Sequence, residues 1–391
     1  MIFVGIDVAS QKHDFYAFQD KSQKCIKRSS ITIPNSLDGF DLLYTKLMDF
    51  CNDMNDHEVK IGLESTGIYN FNILSYLVDK GLSVYLINPV LTSKFAKAQS
   101  VHQAKTDNVD CRLIARFLQT NWGSLSPFSK VDKKLIDLKV LTRERFKLCE
   151  QRKMVKIYIH NILVRMFPAF LDLFSNPCGE TALKILVQYP DTKLLARAHV
   201  QTLNELMNGH CRTNAQTLID AAKTNIGQQS QIMSSLLLTK IKQYRTLSKT
   251  IEEYDSNIES YVNELQPSIL SIPGIGKLSC ATIISEIGDI NRFSSVDQLI
   301  SYSGLDVRVY ESGKYVATHS FPSKRGSHYL RYALYNAARI LVLHDEVFKA
   351  YMAKKKAEGK HFLVALGHVQ KKLLRTIYSL MKTNKTYEPV K

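Results

Sequence analysis

Apolar and polar positions alternate in short runs over the first 120 residues and then recur at helical spacing over much longer ones. Ile2 to Val8 and His13 to Phe18 predict a β-hairpin, and Ser30 to Ile33 a third short strand. Leu37 to Phe50 carries the period of an amphipathic helix. Val59 to Leu63 and Ser83 to Ile87 predict two more strands, with helices through about Asp79 and from about Thr106 to Leu118. This alternation predicts an α/β domain over residues 1–130.

From about Lys133 the period is that of long helices. Leu141, Leu148, Val155 and Ile162 recur every seven residues, with Arg145 and Arg152 at the companion positions. Leu237, Tyr244, Ile251, Ile258 and Leu265 form a second row, and Leu247, Tyr254 and Tyr261 follow three of them by three residues. A heptad sustained this long predicts a coiled coil or long helical hairpin, an α-helical coiled-coil middle over residues 131–266, with an ordinary core helix of a bundle as the alternative. Residues 176–230 interrupt it as a mixed helical insertion, bounded by the turn signals Asn176-Pro177-Cys178-Gly179 and Asn225-Ile226-Gly227. Residues 267–391 read as a third, mainly α domain.

Charge changes this picture first. Lys and Arg outnumber Asp and Glu by 52 to 36, a net charge of +16, which points to a polyanionic partner, nucleic acid before membrane. From Lys354 to Lys391 ten Lys or Arg stand against two Glu, half of the whole excess. No run of about 18 apolar residues occurs, and the start of the chain lacks a basic leader region, so the expectation is a cytoplasmic protein with no membrane partner. The seven cysteines are scattered singly, without the spacing of a disulfide framework or a zinc site, and read as reduced thiols.

Four acids stand out by position. Asp7 lies inside the first strand, where an unpaired carboxylate is costly to bury and so asks for a metal or a base. Glu64 follows the strand Val59 to Leu63. Asp107 and Asp110 open a helix three residues apart and therefore share one face. Three neighbouring strands followed by alternating helices and strands is the order of a ribonuclease-H-like fold, in which such acids converge and can hold two hard cations over a phosphodiester. Taken alone, the pair at 107 and 110 reads as helix capping before catalysis. Ile272-Pro273-Gly274-Ile275-Gly276-Lys277 looks like a helix-hairpin-helix, whose turn would grip a phosphate through backbone N–H groups. Ser312, beside Gly313 and Lys314, could serve as a nucleophile on a phosphodiester. Lys314, Lys324, Arg325 and Arg331 are candidate phosphate contacts.

Taken together, Gly5-Ile6-Asp7-Val8-Ala9, Leu63-Glu64-Ser65-Thr66-Gly67-Ile68-Tyr69, Lys105-Thr106-Asp107-Asn108-Val109-Asp110-Cys111-Arg112, and the C-terminal Ile272-Pro273-Gly274-Ile275-Gly276, Ser312-Gly313 and Lys324-Arg325-Gly326 resemble the DEDD transposases of insertion sequences, relatives of the Piv-type DNA invertases. The resemblance implies a RuvC-like N-terminal domain whose DEDD set, holding Mg2+ or Mn2+, maps onto Asp7, Glu64, Asp107 and Asp110. It implies a C-terminal transposase domain whose nucleophilic serine maps onto Ser312. It further implies double-stranded DNA partners, both element ends and target, a guiding bridge RNA, a homodimer or homotetramer built through the coiled coil, and a nucleoid-associated bacterial or archaeal protein.

The leading expectation is thus a site-specific DNA recombinase or transposase acting by transesterification. It needs no ATP, in keeping with the absence of a GxxxxGK[ST] loop. A metal-dependent structure-specific endonuclease using water, and a non-catalytic nucleic-acid-binding module, are the rival readings.

Overall fold

A computed structural model describes residues 1–389 apart from 28, 65–68, 88, 100–106, 126, 129–132, 208–212, 307–310, 313, 314, 317–321 and 325. The chain divides into two compact units. One comprises Met1–Lys133, Ile287–Ser327 and Lys371–Lys385, the other Lys134–Glu286, His328–Gln370 and Thr386–Lys391.

In the first unit, strands β1 (Ile2–Val8), β2 (Lys12–Gln19), β3 (Ile31–Pro34), β4 (Val59–Glu64) and β5 (Ser83–Ile87) form one mixed sheet in the order β3-β2-β1-β4-β5. β1 to β3 run antiparallel as a meander, and β4 and β5 lie parallel to β1. The helices of this part are α1 (Leu37–Met54), α2 (Phe71–Asp79), α3 (Pro89–Gln99) and α4 (Asp107–Asn121). The pattern had given no helix between β5 and α4; α3 opens on a proline, which suits a first helical turn.

Strand periodicity sends alternate side chains of β1 to opposite layers. Ile2, Val4, Ile6 and Val8 pack with Leu43 and Leu47 of α1 and with Ile73 and Leu77 of α2. Phe3 faces the other way, joining Phe18, Tyr85 and Ile87 beneath Cys111, Ile114, Ala115 and Leu118 of α4. A central strand covered on both faces must read as a continuous apolar run, which is why β1 was visible.

The second unit is built on α5 (Lys133–Met166) and α11 (Gln231–Leu265), 34 and 35 residues long. Lys134 bonds Glu264 at 2.5 Å, Arg145 forks onto Asp255 at 2.6 and 3.0 Å, and the Lys240 ammonium lies 5.1 Å over the Tyr158 ring. As numbers rise on α5 they fall on α11, so the two helices run antiparallel in a fixed register. The buried row on α11 is Leu237, Ile241, Ile251, Ile258 and Val262. Ile241 and Val262 sit four residues after a heptad position, where the sequence pattern had offered the residues three after.

Between these helices, α6 (Pro168–Leu173), α7 (Glu180–Gln188), α8 (Thr192–Leu195), α9 (Val200–Met207) and α10 (Ala215–Lys223) close over Ile159, Leu163, Leu237 and Ile241 as one apolar cluster. The insertion read at 176–230 is thus a helical cap on the turn of the hairpin. Asn225 at its exit donates to the Met166 carbonyl at 2.9 Å, tying the cap to the end of α5.

The remaining elements are α12 (Lys277–Ile287), α13 (Val296–Ser303), β6 (Glu311–Ser312), β7 (Tyr315–Val316), α14 (His328–His344), α15 (Glu346–Ala357) and α16 (Phe362–Thr383). Glu286 of α12 is fully buried, with Arg143 forked onto it at 2.5 and 2.9 Å and Lys139 at 3.8 Å. Arg143→Ala removes the bidentate partner and leaves a buried carboxylate. The expected result is a loss of about 3 kcal/mol, read from the urea midpoint. An unshifted midpoint would show that Lys139 or water compensates. Among the described residues no helix is long and apolar enough to cross a membrane.

Candidate functional site

Two glycines set the site. Gly5 of β1 and Gly62 of β4 are register partners on the face covered by α4. A Cβ built on Gly5 would lie 2.0 Å from the Cys111 carbonyl oxygen and 2.5 Å from the Ala115 nitrogen, and one on Gly62 would lie 2.9 Å from Ile114 Cγ2. The α4 backbone therefore rests directly on the sheet. Two residues beyond this pair, on the same face, come Asp7 and Glu64. The sequence places both acids at the C-terminal ends of adjacent parallel strands, where side chains escape the core, and both are half-buried.

The direction of α4 follows from two cations. The Arg116 guanidinium lies 4.6 Å over the Phe18 ring and that of Arg112 lies 5.0 Å over Tyr16. Phe18 pairs with Phe3, and Tyr16 with Gly5. One turn back along the helix is two residues forward along β1, so the first turn of α4 lies over the row of Asp7. That turn carries Asp110, half-buried, and position 107, which opens the helix one turn ahead of Cys111.

The neighbours of these acids were not foreseen. The Thr92 hydroxyl of α3, itself buried, donates to Glu64 Oε1, and the Asn70 amide donates to the Glu64 carbonyl at 3.3 Å. Asp14 stands directly opposite Asp7 on β2, buried, with the Thr32 hydroxyl on Oδ1 and the Lys12 ammonium 3.6 Å from Oδ2. The hairpin register would have revealed Asp14, since pairing Val8 with His13 forces Asp7 opposite Asp14. Nothing in the local pattern pointed to Thr92. Burial, reinforced by Asp14, pushes the Cys111 thiol up to about 12, so it stays protonated at neutral pH. Among the described residues, no three acid, histidine or cysteine side chains converge closely enough to hold an ion. The donor set is nonetheless of hard oxygens, the kind that Mg2+ and Mn2+ accept.

Ser312 lies in β6 and pairs with Tyr315 of β7, within the same compact unit as the four acids. Lys314 and Arg325 lie outside the described residues. Lys324 is exposed at φ 54° on a loop stitched to the end of α13: Lys324 N–H donates to Gly304 O at 3.1 Å, and Ser327 N–H to Tyr302 O at 3.0 Å.

The other candidate phosphate contacts fall in the second unit. Gly274 adopts φ 81°, and a Cβ there would lie 2.8 Å from Ile340 Cγ2 and 3.1 Å from the Leu341 nitrogen, so this glycine lets its loop pack closely against α14. Gly276 faces open space. Lys277 opens α12 and is paired with Glu259 of α11. Arg331 is half-buried on α14, and lost hydration pulls its guanidinium below the ordinary value.

Comparison with known proteins adds a second line. Residues 4–168 match the model of the DEDD transposases of IS110, and residues 266–353 match that of the transposase IS116/IS110/IS902 family; together they span about two thirds of the chain. The 43.6 kDa protein of insertion element IS110 from Streptomyces coelicolor is 21% identical over 396 residues, covering 99% of this chain and 95% of the relative. The pilin gene-inverting protein of Moraxella lacunata is 22% identical over 396 residues, covering 99% and 97%. Among solved structures, Thermus thermophilus RuvC in complex with a Holliday junction substrate aligns with a TM-score of 0.24 at 13% identity, covering 33% of this chain and 99% of that one.

Proposed function

The chain belongs to the IS110 family of transposases, enzymes of DNA recombination, and from that premise we propose that it breaks and rejoins DNA through Ser312 and the acids at Asp7, Glu64, Asp107 and Asp110. The observation that carries this reading is the row formed by Asp7 and Glu64 on the face of the sheet under the first turn of α4. A meander of three strands with two parallel strands added beyond the first is the ribonuclease-H-like order.

A divalent ion, Mg2+ or Mn2+, held by these carboxylates would supply positive charge to the scissile phosphate. The chain's own contributions are separate. Thr92 fixes one oxygen of Glu64 and leaves the other for a ligand. The close seat of α4 on Gly5 and Gly62 holds Asp110 over the strand ends. Ser312 Oγ forms a bond to phosphorus as the bond from phosphorus to a deoxyribose oxygen breaks; its proton passes to a base, and the departing oxygen takes one up. Attack of another strand's hydroxyl on the phosphoserine reverses these changes, so bond energy is kept and no nucleotide is consumed.

The net charge of +16 and the lysines at the end of α15 supply attraction for DNA at element ends and target, and for a structured guide RNA. The long antiparallel helices are read as a coiled coil through which a dimer or tetramer assembles, and the turn before α12 as a helix-hairpin-helix. Insertion, excision and the inversion named for the Moraxella relative share this one chemistry.

The test is a denaturing gel of the full-length protein with radiolabelled element-end DNA. A covalent protein–DNA adduct is expected, and it should vanish in Ser312→Ala with the thermal midpoint kept. Cleavage that releases only free ends, undiminished in Ser312→Ala, would establish hydrolysis by water instead.

A further inference from the structure

Where α5, α12 and α14 of the second unit meet, an open cleft is lined by Arg145, Phe146, Ser279, Tyr329, Tyr332 and Asn336. Phe146 meets the Tyr329 and Tyr332 rings nearly edge-on, at centroid distances of 5.2 Å and interplanar angles of 85° and 79°. Three rings in this favoured arrangement make a stiff aromatic wall. Tyr332 is nevertheless 53% exposed. A ring steadied by a neighbouring ring and still half exposed has surface left for stacking.

Charge decides what would stack there. The Arg145 guanidinium is held by Asp255, whose hydrogen bonds raise its affinity for the proton further. Arg143, lying 4.9 Å over Tyr329, is forked onto Glu286. Cations neutralised in this way give a phosphate little to gain. What remains is neutral: among the described residues, neither Ser279 nor Asn336 has a hydrogen-bond partner for its side chain. An amide presents a donor beside an acceptor, the pairing that matches the edge of a base. The space, about 410 Å3, includes open solvent at the mouth, so its occupant is gripped by one face and one edge rather than enclosed.

We propose that this cleft binds a single unpaired DNA base, stacked on Tyr332 with its edge toward Asn336 and Ser279. The proposal rests on the DNA-acting function argued above. It adds a contact that needs an unstacked base, where backbone charge alone would be indifferent to one.

Fluorescence anisotropy of the full-length protein would compare a mixed-sequence single-stranded 12-mer with the same strand made abasic at its centre. The intact strand is expected to bind about ten-fold more tightly, a base-stacking effect. Tyr332→Ala should bring that ratio to about one, Tyr332→Phe should keep it, and Asn336→Ala should lower it in part, all with an unchanged circular dichroism spectrum. Equal binding of intact and abasic strands by the wild type, or a ratio that survives Tyr332→Ala, would overturn the cleft while leaving the DNA-acting function in place. Failure to bind either strand would likewise overturn the cleft, while the adduct with element-end DNA tests the function separately.

Discussion

Asp7→Asn is expected to abolish strand cleavage, lowering the single-turnover rate by roughly a thousand-fold or more, while making the folded protein slightly more stable. The first effect follows from charge. A carboxylate that helps hold a cation over the scissile phosphate contributes several kcal/mol to the transition state, and each 1.36 kcal/mol is a factor of ten. The second follows from the register. Asp7 faces Asp14 directly across the antiparallel pair, and like charges so placed are unfavourable by about 0.2–1 kcal/mol. Chelation of divalent ions should reproduce the loss in the wild type, and added Mg2+ should restore it. The decisive readings are cleavage on a sequencing gel and the urea midpoint, taken on the same preparation. Retained cleavage in Asp7→Asn would mean that the acids are caps and charge partners only. Seen together, the two results would mark a site that keeps two carboxylates face to face at the expense of stability, as functional sites commonly do.

Gly5→Ala is expected to cost about 3 kcal/mol, the upper end of what overpacking usually does. The obstacle is the main chain of α4, 2.0 Å from the new carbon at the Cys111 carbonyl, and a helix backbone cannot rotate aside as a side chain can. The helix must lift, carrying Asp110 away from Asp7, so cleavage should fall together with stability although no acid has been touched. Gly123→Ala is the control: nothing lies within 4 Å of its Cβ position, and its midpoint should stay within about 0.5 kcal/mol. A Gly5→Ala protein with wild-type midpoint and wild-type cleavage would disprove the close seating of α4.

These two positions also show what could be read in advance. Asp7 was legible because it is the one charge in an otherwise apolar strand, and such an exception asks for a reason. Gly5, two residues earlier, was equally visible, but its meaning depends on which helix lands on the sheet, and that is decided by residues a hundred positions away. Glu64 could be placed at the end of its strand. Thr92 could not, because the helix that carries it has a weak apolar stripe and begins at a proline, so neither its period nor its start announced it. Asp14 is legible only through the hairpin register, which sets it opposite Asp7, because nothing in its own stretch of sequence singles it out. On the long helices the heptad row was readable from α11 alone, whereas the companion positions at Ile241 and Val262 are selected by the antiparallel partner. For Asp107 and Asp110, spacing could not separate capping from catalysis, and the resemblance of the surrounding motifs supplied the choice.

The ties at both ends and the middle of the α5–α11 hairpin make it a gauge of fixed length, about 50 Å at 1.5 Å per residue. Deleting one residue from one arm alone would put every later rung out of step and bring Arg145 opposite Tyr254 or Ser256, neither of them an acid. Shorter or longer versions of this protein therefore have to change both arms together, by matched whole heptads, and counting such paired changes among its relatives would show whether the span of the gauge is itself under selection.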